Sequence, residues 1–418
     1  MAERIYLSSF VGATVFGRAE ERVGKVADVI VRPTEERFPR VAGLVIQGGL
    51  ESRFFVSAAA IGELSENVVH LNTSRLDLRP FLRRAGEVLL AKDLLDRQIV
   101  NVEGRRVVRV NDLQLERVGN QWRLVAVDVS FAALAARLGL GWLREKLRRE
   151  VIPWDDIEFF QSDIPVPLHL RHEKIARLHP ADIARLLADL STPQTHELLR
   201  ELDPAKAADT VEELEPEHQA ALLQTLDSEE AADILDEMDP DNAADVLGDL
   251  APHDAATLLD SMEQDEADAV KALLRYPDDT AGGLMTTEFV ALPQNLTVEE
   301  ALRELRDRSR QEELPDFIPL LYALEAEDCR RLVGVLTLRD LILAEPMTRL
   351  SELMATDLVV GRVNDEPRDV AETMGVYNLM ALPILDENDE LAGIVTVDDV
   401  LEVLLPEGWK GRLPQVFH

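Results

Sequence analysis

A single cysteine, Cys329, stands in 418 residues. That excludes an intrachain disulfide and any zinc site built from several cysteines, and it fits a reducing compartment. No apolar run reaches the roughly 18 residues that cross a bilayer. The nearest, Phe131 to Leu143, is broken by Arg137 and two glycines. The first residues lack the pattern of a secretory leader, so a soluble, cytoplasmic protein is expected. No nucleophile, base and oxyanion-donor set converges, and no phosphate-gripping Gly-Lys loop occurs, so enzyme chemistry is not expected. The most one-sided shortage is of positive charge. Residues 201 to 270 hold no arginine and one lysine, Lys206, against 23 Asp and Glu, a net of −22 out of −35 for the chain. Such a surplus opposes nucleic-acid binding.

What is present in that acidic region is a repeat. A large apolar residue returns every 12 positions at Leu178, Leu190, Leu202, Leu214, Leu226, Met238, Leu250, Met262 and Leu274. Between these anchors the units read as short helices. Asp203 and Asp239 are suited to accept the orphan N–H groups of a helix start, and the prolines that follow them fit the first helical position. Pro180, Pro216 and Pro252 mark other starts, and Lys271 replaces an apolar residue in the last unit. Each helix carries a single apolar stripe, such as Ile234, Leu235 and Met238, so it needs its neighbours to bury it. A compact all-α superhelix over residues 177–276 is expected. Its acidic faces are either a solvated surface or a cation-binding one.

Residues 1 to 160 differ in kind, with 24 Lys and Arg against 22 Asp and Glu. Short alternating runs such as Lys25 to Val31, Val41 to Ile46 and Arg53 to Val56 read as strands of a small barrel. A second copy follows: Asp96 to Val100 resembles Gly12 to Phe16, Arg106 to Asp112 resembles Val23 to Asp28, and Val151 to Ile157 resembles Phe55 to Ile61. Tandem barrels over 1–80 and 81–162 are expected. Phe10 to Phe16 followed by Val23 to Ile30 resembles a PRC-barrel, which implies a docking or assembly module. Residues 163–176, with Pro165 and Pro167, read as a linker. His169 and His172 within it lack a third ligand type and are read as surface residues.

Beyond the repeats come Tyr276-Pro-Asp-Asp-Thr-Ala-Gly-Gly-Leu-Met-Thr286 and two related units, 277–346 and 347–406, then a tail, 407–418. Arg331 to Leu341 parallels Glu390 to Val400: a glycine entering a buried strand, then Thr-x-x-Asp opening a helix. This resembles a tandem CBS (α/β) pair. The resemblance implies a homodimer and, where the family binds an adenine nucleotide such as ATP, Thr337 and Asp340 or Thr396 and Asp399 as its contacts. A helix N-terminus attracts anions, and a carboxylate can take ribose hydroxyls.

The succession of acidic superhelix, the Tyr276 to Thr286 segment and two CBS units resembles the cytosolic half of MgtE magnesium channels over about residues 175 to 407. The expected fold class is therefore α+β multidomain: tandem small β-barrels, an all-α superhelix of 12-residue repeats and a CBS pair. The resemblance implies Mg²⁺ bridging the superhelix and the CBS pair, with ligands falling on Asp241, Asp245 and Asp399, and on Glu402 and Glu407. Asn378, Arg368 and Lys410 depart from the family's carboxylates, and Asp399 is claimed by both the metal and the nucleotide assignment. The Gly282–Gly283 pair reads as a turn, and as a hinge between modules. Three readings remain open: a soluble Mg²⁺-responsive adaptor whose barrels dock a protein partner, an adenine-nucleotide sensor, or a detached component acting on a membrane transporter in trans.

Overall fold

The computed structural model describes residues 4–32, 36–49, 52–65, 67–119, 121–137, 148–160, 174–310, 314–315, 318, 320–326 and 329–404. The expected linker, with His169 and His172, lies almost wholly outside these residues, and Glu407, Lys410 and the tail lie outside them altogether. The chain divides into two compact units, 1–202 and 203–418.

The first unit opens with strand β1 (Arg4–Tyr6), a helical turn α1 (Leu7–Phe10), and strands β2 (Thr14–Phe16), β3 (Arg22–Arg32), β4 (Arg40–Gln47), β5 (Arg53–Ser57), β6 (Ile61–Leu64) and β7 (Val68–Leu71). The second copy repeats this with β8 (Val88–Leu89), a π turn at Leu90–Leu94, β9 (Gln98–Asn101), β10 (Arg106–Arg109), β11 (Asp112–Val118) and β12 (Gln121–Asp128). Helix α2 (Phe131–Arg137), β13 (Val151–Pro153) and β14 (Ile157–Glu158) complete it. The π turn is one residue longer than α1, and the copies come back into step after it. Gly12 N–H bonds Val26 O as Asp96 N–H bonds Val110 O. Gly12 and Asp96 both adopt a left-handed backbone, φ 91° and 65°, a conformation that glycine enters freely and that Asp tolerates better than most residues.

The barrels are interlocked. β1 pairs with β11 of the second copy, and β8 pairs with β3 of the first. A buried aspartate of each copy also holds the turn of the other. Asp28 accepts the Ala91 and Lys92 N–H groups at 2.8 and 3.1 Å. Asp112 accepts the Ser8 N–H at 2.9 Å and the Ser8 hydroxyl. Burial pushes both carboxyls above their ordinary pKa, against the pull of these hydrogen bonds. One apolar core, containing Phe10, Leu44, Phe54, Leu94, Ile99 and Trp154, runs through both copies.

The repeat produces helices at the expected spacing: α3 (Pro180–Leu187), α4 (Thr192–Leu199), α5 (Pro204–Glu212), α6 (Pro216–Leu223), α7 (Ser228–Asp236), α8 (Pro240–Asp249), α9 (Pro252–Leu259) and α10 (Gln264–Leu273). Proline occupies the first turn of α3, α4, α5, α6, α8 and α9. The first two helices fall in the first unit, where Arg105 of the barrels meets Asp182 of α3 at 2.6 Å. In the second unit, α5 packs on α7, α7 on α9, α6 on α8 and α8 on α10, so each helix leans on the next but one. Ile234, Leu235, Met238, Val246, Leu247 and Leu250 are buried as the stripe requires. Full burial of such a side chain contributes about 1.5–3 kcal/mol.

The second unit continues with α11 (Ala281–Leu284), β15 (Val290–Pro293), α12 (Val298–Arg310), β16 (Leu321–Ala326), β17 (Cys329–Leu336), α13 (Leu338–Leu343) and α14 (Leu350–Leu353). It ends with β18 (Gly361–Arg362), α15 (Pro367–Tyr377), β19 (Ala381–Leu385), β20 (Leu391–Thr396) and α16 (Val397–Leu404). Two three-stranded sheets result, β15-β16-β17 and β18-β19-β20, each with one parallel and one antiparallel pair. Tyr322, Leu332, Ala381, Leu391 and Ile394 form an apolar layer contributed by both.

The Gly282–Gly283 pair is clamped rather than free. Ala281 and Gly282 donate to Asp365 O and Val363 O, and Thr286 and Ile394 exchange two backbone bonds. A Cβ on Gly282 would stand 2.6 Å from the Tyr276 ring, and one on Gly393 would stand 2.6 Å from Thr286 O. Close packing, not a hinge, requires these glycines.

Candidate metal centre

The acidic residues of the second unit are not all on its surface. Glu212 ends α5 and is buried. Its Oε1 accepts the Asp239 N–H at 2.7 Å, and Asp239 is the residue that begins α8. The Asp239 carboxylate makes no capping bond, unlike that of Asp203, which accepts the Lys206 N–H at 3.1 Å. The expectation that Asp239 caps its own helix is therefore corrected. Its N–H is taken by Glu212, and its charge acts on its acidic neighbours instead.

Asp241 lies in the first turn of α8, and Asp399 in the first turn of α16. Burial is the largest influence on Asp241 and drives its carboxyl well above the ordinary range; the Asp399 and Asp239 charges add to it, and Glu212 contributes further. Asp399 is pushed up to about 7, again by burial first, with Asp398 and Asp239 adding to it and bonds from Thr396 opposing. Glu212 is pushed up to about 8 by burial and by the Asp239 and Asp209 charges. Asp241 Oδ1 is enclosed and meets no hydrogen-bond donor. A buried carboxylate oxygen without a partner is costly. The site thus asks for positive charge that this acidic stretch, with Lys206 as its lone cation over residues 201–270, is poorly equipped to supply.

Of the sequence-derived metal ligands, Asp241 and Asp399 are brought together. Asp245 lies one turn beyond Asp241 on α8 and is exposed. Glu402 is on α16, but its side chain is outside the described residues, as is all of Glu407. Among the described residues no three His, Cys, Asp or Glu side chains stand together closely enough to hold an ion directly. The set fits a hard, hydrated cation held partly through water, as Mg²⁺ is. Asn378, where the family's carboxylate is missing, closes α15 in the left-handed conformation at φ 52°, a cap that Asn fills well.

Glu212 and Asp239 were not singled out as site residues by sequence reasoning. A signal exists at twice the repeat. Twenty-four residues on, Asp236 ends α7 and accepts the Glu263 N–H, at 3.0 and 3.2 Å, from the residue that begins α10. Carboxylates recurring at this double period accept the N–H that begins the helix three units on, Glu212 buried and Asp236 nearer the surface.

The first Thr-x-x-Asp motif forms a closed capping box, and in the second Thr396 donates to the carboxylates that follow it. Thr337 N–H and hydroxyl donate to Asp340 Oδ2 at 2.9 and 2.6 Å, and Asp340 N–H returns a bond to the Thr337 hydroxyl. Thr396 N–H and hydroxyl donate to Asp399 Oδ2 at 2.9 and 2.7 Å. The environments differ. Asp340 is exposed, with its pKa lowered by Thr337, whereas Asp399 faces the acidic group around Asp241.

Against known families, residues 178–279 match the MgtE intracellular N domain, 281–346 and 350–406 match the CBS domain, and 2–76 match the PRC-barrel domain. The chain is 30% identical over 122 residues to the CBS domain-containing protein YhcV of Bacillus subtilis, covering 79% of that protein. It is 47% identical over 138 residues to the magnesium transporter MgtE of Thermus thermophilus, covering 33% of this chain and 30% of the relative. A crystal structure of the cytosolic domain of the Mg²⁺ channel MgtE in complex with ATP matches 56% of this chain and 93% of its own, at 40% identity and a TM-score of 0.52. The soluble part of a magnesium transporter matches similarly, at 34% identity, a TM-score of 0.51, and 56% and 90% coverage.

Fold and site thus define a CBS-pair protein with an acidic helical domain ahead of the pair. The chain belongs to the family of MgtE cytosolic domains, here preceded by a PRC-barrel domain. It spans about 30% of the length of the curated MgtE transporter from Thermus. No helix of the described residues is long and apolar enough to cross a membrane.

Proposed function

We propose that this chain is a Mg²⁺-responsive regulatory protein in which divalent cations bridge the acidic helices and the CBS pair. The observation that carries the reading is Asp241 Oδ1, enclosed without a donor and under the charge of Asp399, in a group composed of carboxylates. Asp241 and Asp399 would hold the ion, with Asp239, Asp245 and Glu402 within the same two helices or beside them; bound Mg²⁺ would supply the positive charge that lets the carboxylates ionise together. Without it, proton uptake or separation of the helices relieves the repulsion. A few kcal/mol of such repulsion is enough to shift a two-state arrangement, since about 5.5 kcal/mol spans nearly its whole range.

A second reading, adenine-nucleotide binding, is favoured by the exposed, ionised Asp340 beside Thr337 and by the ATP complex of the related MgtE cytosolic domain. It is assigned to the first CBS unit, leaving Thr396 and Asp399 to the cap and the metal. Exposed apolar residues on the CBS pair, including Ile342, Leu343, Met347, Val376 and Tyr377, suit the homodimer expected of CBS pairs. The barrels are assigned to docking a protein partner, a membrane transporter in trans being one such partner.

Limited proteolysis across 0 to about 20 mM Mg²⁺, with Ca²⁺ and ionic-strength controls, tests the first reading. Saturable protection of the second unit beyond the salt control supports it. Cleavage indifferent to magnesium removes it.

A further inference from the structure

The two strand exchanges that interlock the barrels occupy equivalent positions. Arg4 stands opposite Glu116 and Ile5 opposite Leu115 in one. In the other, Val88 stands opposite Val31 and Leu89 opposite Ile30, and the next step outward brings Glu87 to Arg32. Sequence spacing gives the same equivalence. Arg32 and Glu116 each follow the buried aspartate, Asp28 or Asp112, by four residues, and Arg4 and Glu87 each precede the turn, at Leu7 or Leu90, by three.

At these equivalent places the signs are interchanged. The long strand carries Arg32 in the first copy and Glu116 in the second, and the short strand carries Arg4 in the first and Glu87 in the second. Both cross pairs are therefore opposite in charge, with Arg32 Nη2 2.9 Å from Glu87 Oε1 and Arg4 Nε 3.0 Å from Glu116 Oε2. Like-with-like pairing reverses this. Two first copies would set Arg32 against Arg4, and two second copies would set Glu116 against Glu87. Glu87 is fully buried, where a like-charged or missing partner is least tolerated.

We propose that this interchange of charge assigns the two barrels to each other and rejects like-with-like strand exchange with a second copy of the chain. It is a specificity device of the kind that sets partner choice wherever an attractive pair in the right complex becomes a repulsive one in the wrong complex. Unlike pairing between chains keeps the charges matched, and is opposed by the high effective concentration of the tethered copy. The edges at which β11 and β3 take up β1 and β8 are thereby occupied within the chain.

The test uses the full-length chain and hydrogen exchange at β1 and β8, with mass by light scattering. Arg4→Glu with Glu87→Arg interchanges the short-strand charges, making both internal pairs repulsive and both like-with-like pairs attractive. Exchange at residues 4–6 and 88–89 should accelerate by about 5-fold or more, and heavier species should appear. Adding Arg32→Glu and Glu116→Arg makes both cross pairs opposite in charge again, and should return mass to that of the unaltered chain and exchange most of the way, the Arg84 guanidinium 3.8 Å from Glu87 keeping a residual cost at that buried position. Because Glu87 also accepts the Arg84 N–H, the exposed pair gives an independent arm: Arg4→Glu alone should loosen β1, and Arg4→Glu with Glu116→Arg should restore it. Unaltered exchange and mass in the first variant, or failure of both compensated variants to recover, overturns the proposal.

Discussion

The group around Asp241 makes a quantitative prediction about pH. A rise of the Asp399 carboxyl from 3.8 to about 7 corresponds to roughly 4 kcal/mol of penalty on its ionised form in the packed arrangement. The sign follows from the direction of the shift. When the helices separate or unfold, the group returns to its ordinary value, so the packed arrangement binds more protons. Its stability is then greatest near and below pH 4 and is lost as pH rises through about 7; Glu212, pushed to about 8, extends the loss upward. In the absence of divalent ions the second unit should resist protease at pH 6 and be cut readily at pH 8.5, and Mg²⁺ should restore resistance at the higher pH. Asp241→Asn with Asp399→Asn removes two of the competing charges while keeping side-chain shape. That variant should be cut less readily at pH 8.5 than the unaltered chain and gain little further protection from Mg²⁺, the pH dependence that remains belonging to Glu212. If it still opens at pH 8.5 and still needs the same Mg²⁺ to close, repulsion at this group is not what the ion relieves.

Three further outcomes are expected. Asp28→Ala leaves buried N–H groups of the Ala91–Lys92 turn unpaired and should destabilise both barrels together by about 2–4 kcal/mol in chemical denaturation; Asp112→Ala should do the same through Ser8. Tyr322 is buried with a hydroxyl that meets no partner, so Tyr322→Phe should be neutral or stabilising by up to about 1 kcal/mol, read as a shift in thermal midpoint. Asp340→Ala opens the capping box of α13 at about 1 kcal/mol and should abolish adenine-nucleotide binding in calorimetry while leaving the Mg²⁺ response intact. Loss of the Mg²⁺ response in that variant would merge the two sites.

The elements were legible where local chemistry fixes them. A 12-residue spacing, with proline at the start of six of the eight helices, marks where α3 through α10 begin, and the Thr-x-x-Asp motifs mark the starts of α13 and α16. Long-range partnership was less visible. The internal repeat showed that there are two barrels, but not that β1 and β8 cross over, because strand exchange depends on which edge a strand meets rather than on its own alternation. Asp28 and Asp112 read as ordinary strand residues until the opposite turn was in place. At the metal centre, Asp241 and Asp399 could be named through resemblance, whereas Glu212 and Asp239 could not, since their role comes from packing between helices that are not consecutive. Asp239 shows why: its sequence context is that of an N-cap, and the Glu212 carboxylate that takes its N–H comes from a helix 27 residues back in the chain.

Titration of the full chain with Mg²⁺ by calorimetry near pH 7, repeated in buffers of different ionisation enthalpy, tests the central claim most directly. The acidic group should bind saturably and release protons as it does so, because carboxyls held protonated by burial and mutual repulsion must ionise to meet the ion. Binding that releases no protons, or heat no greater than that of a matched monovalent salt, would contradict it.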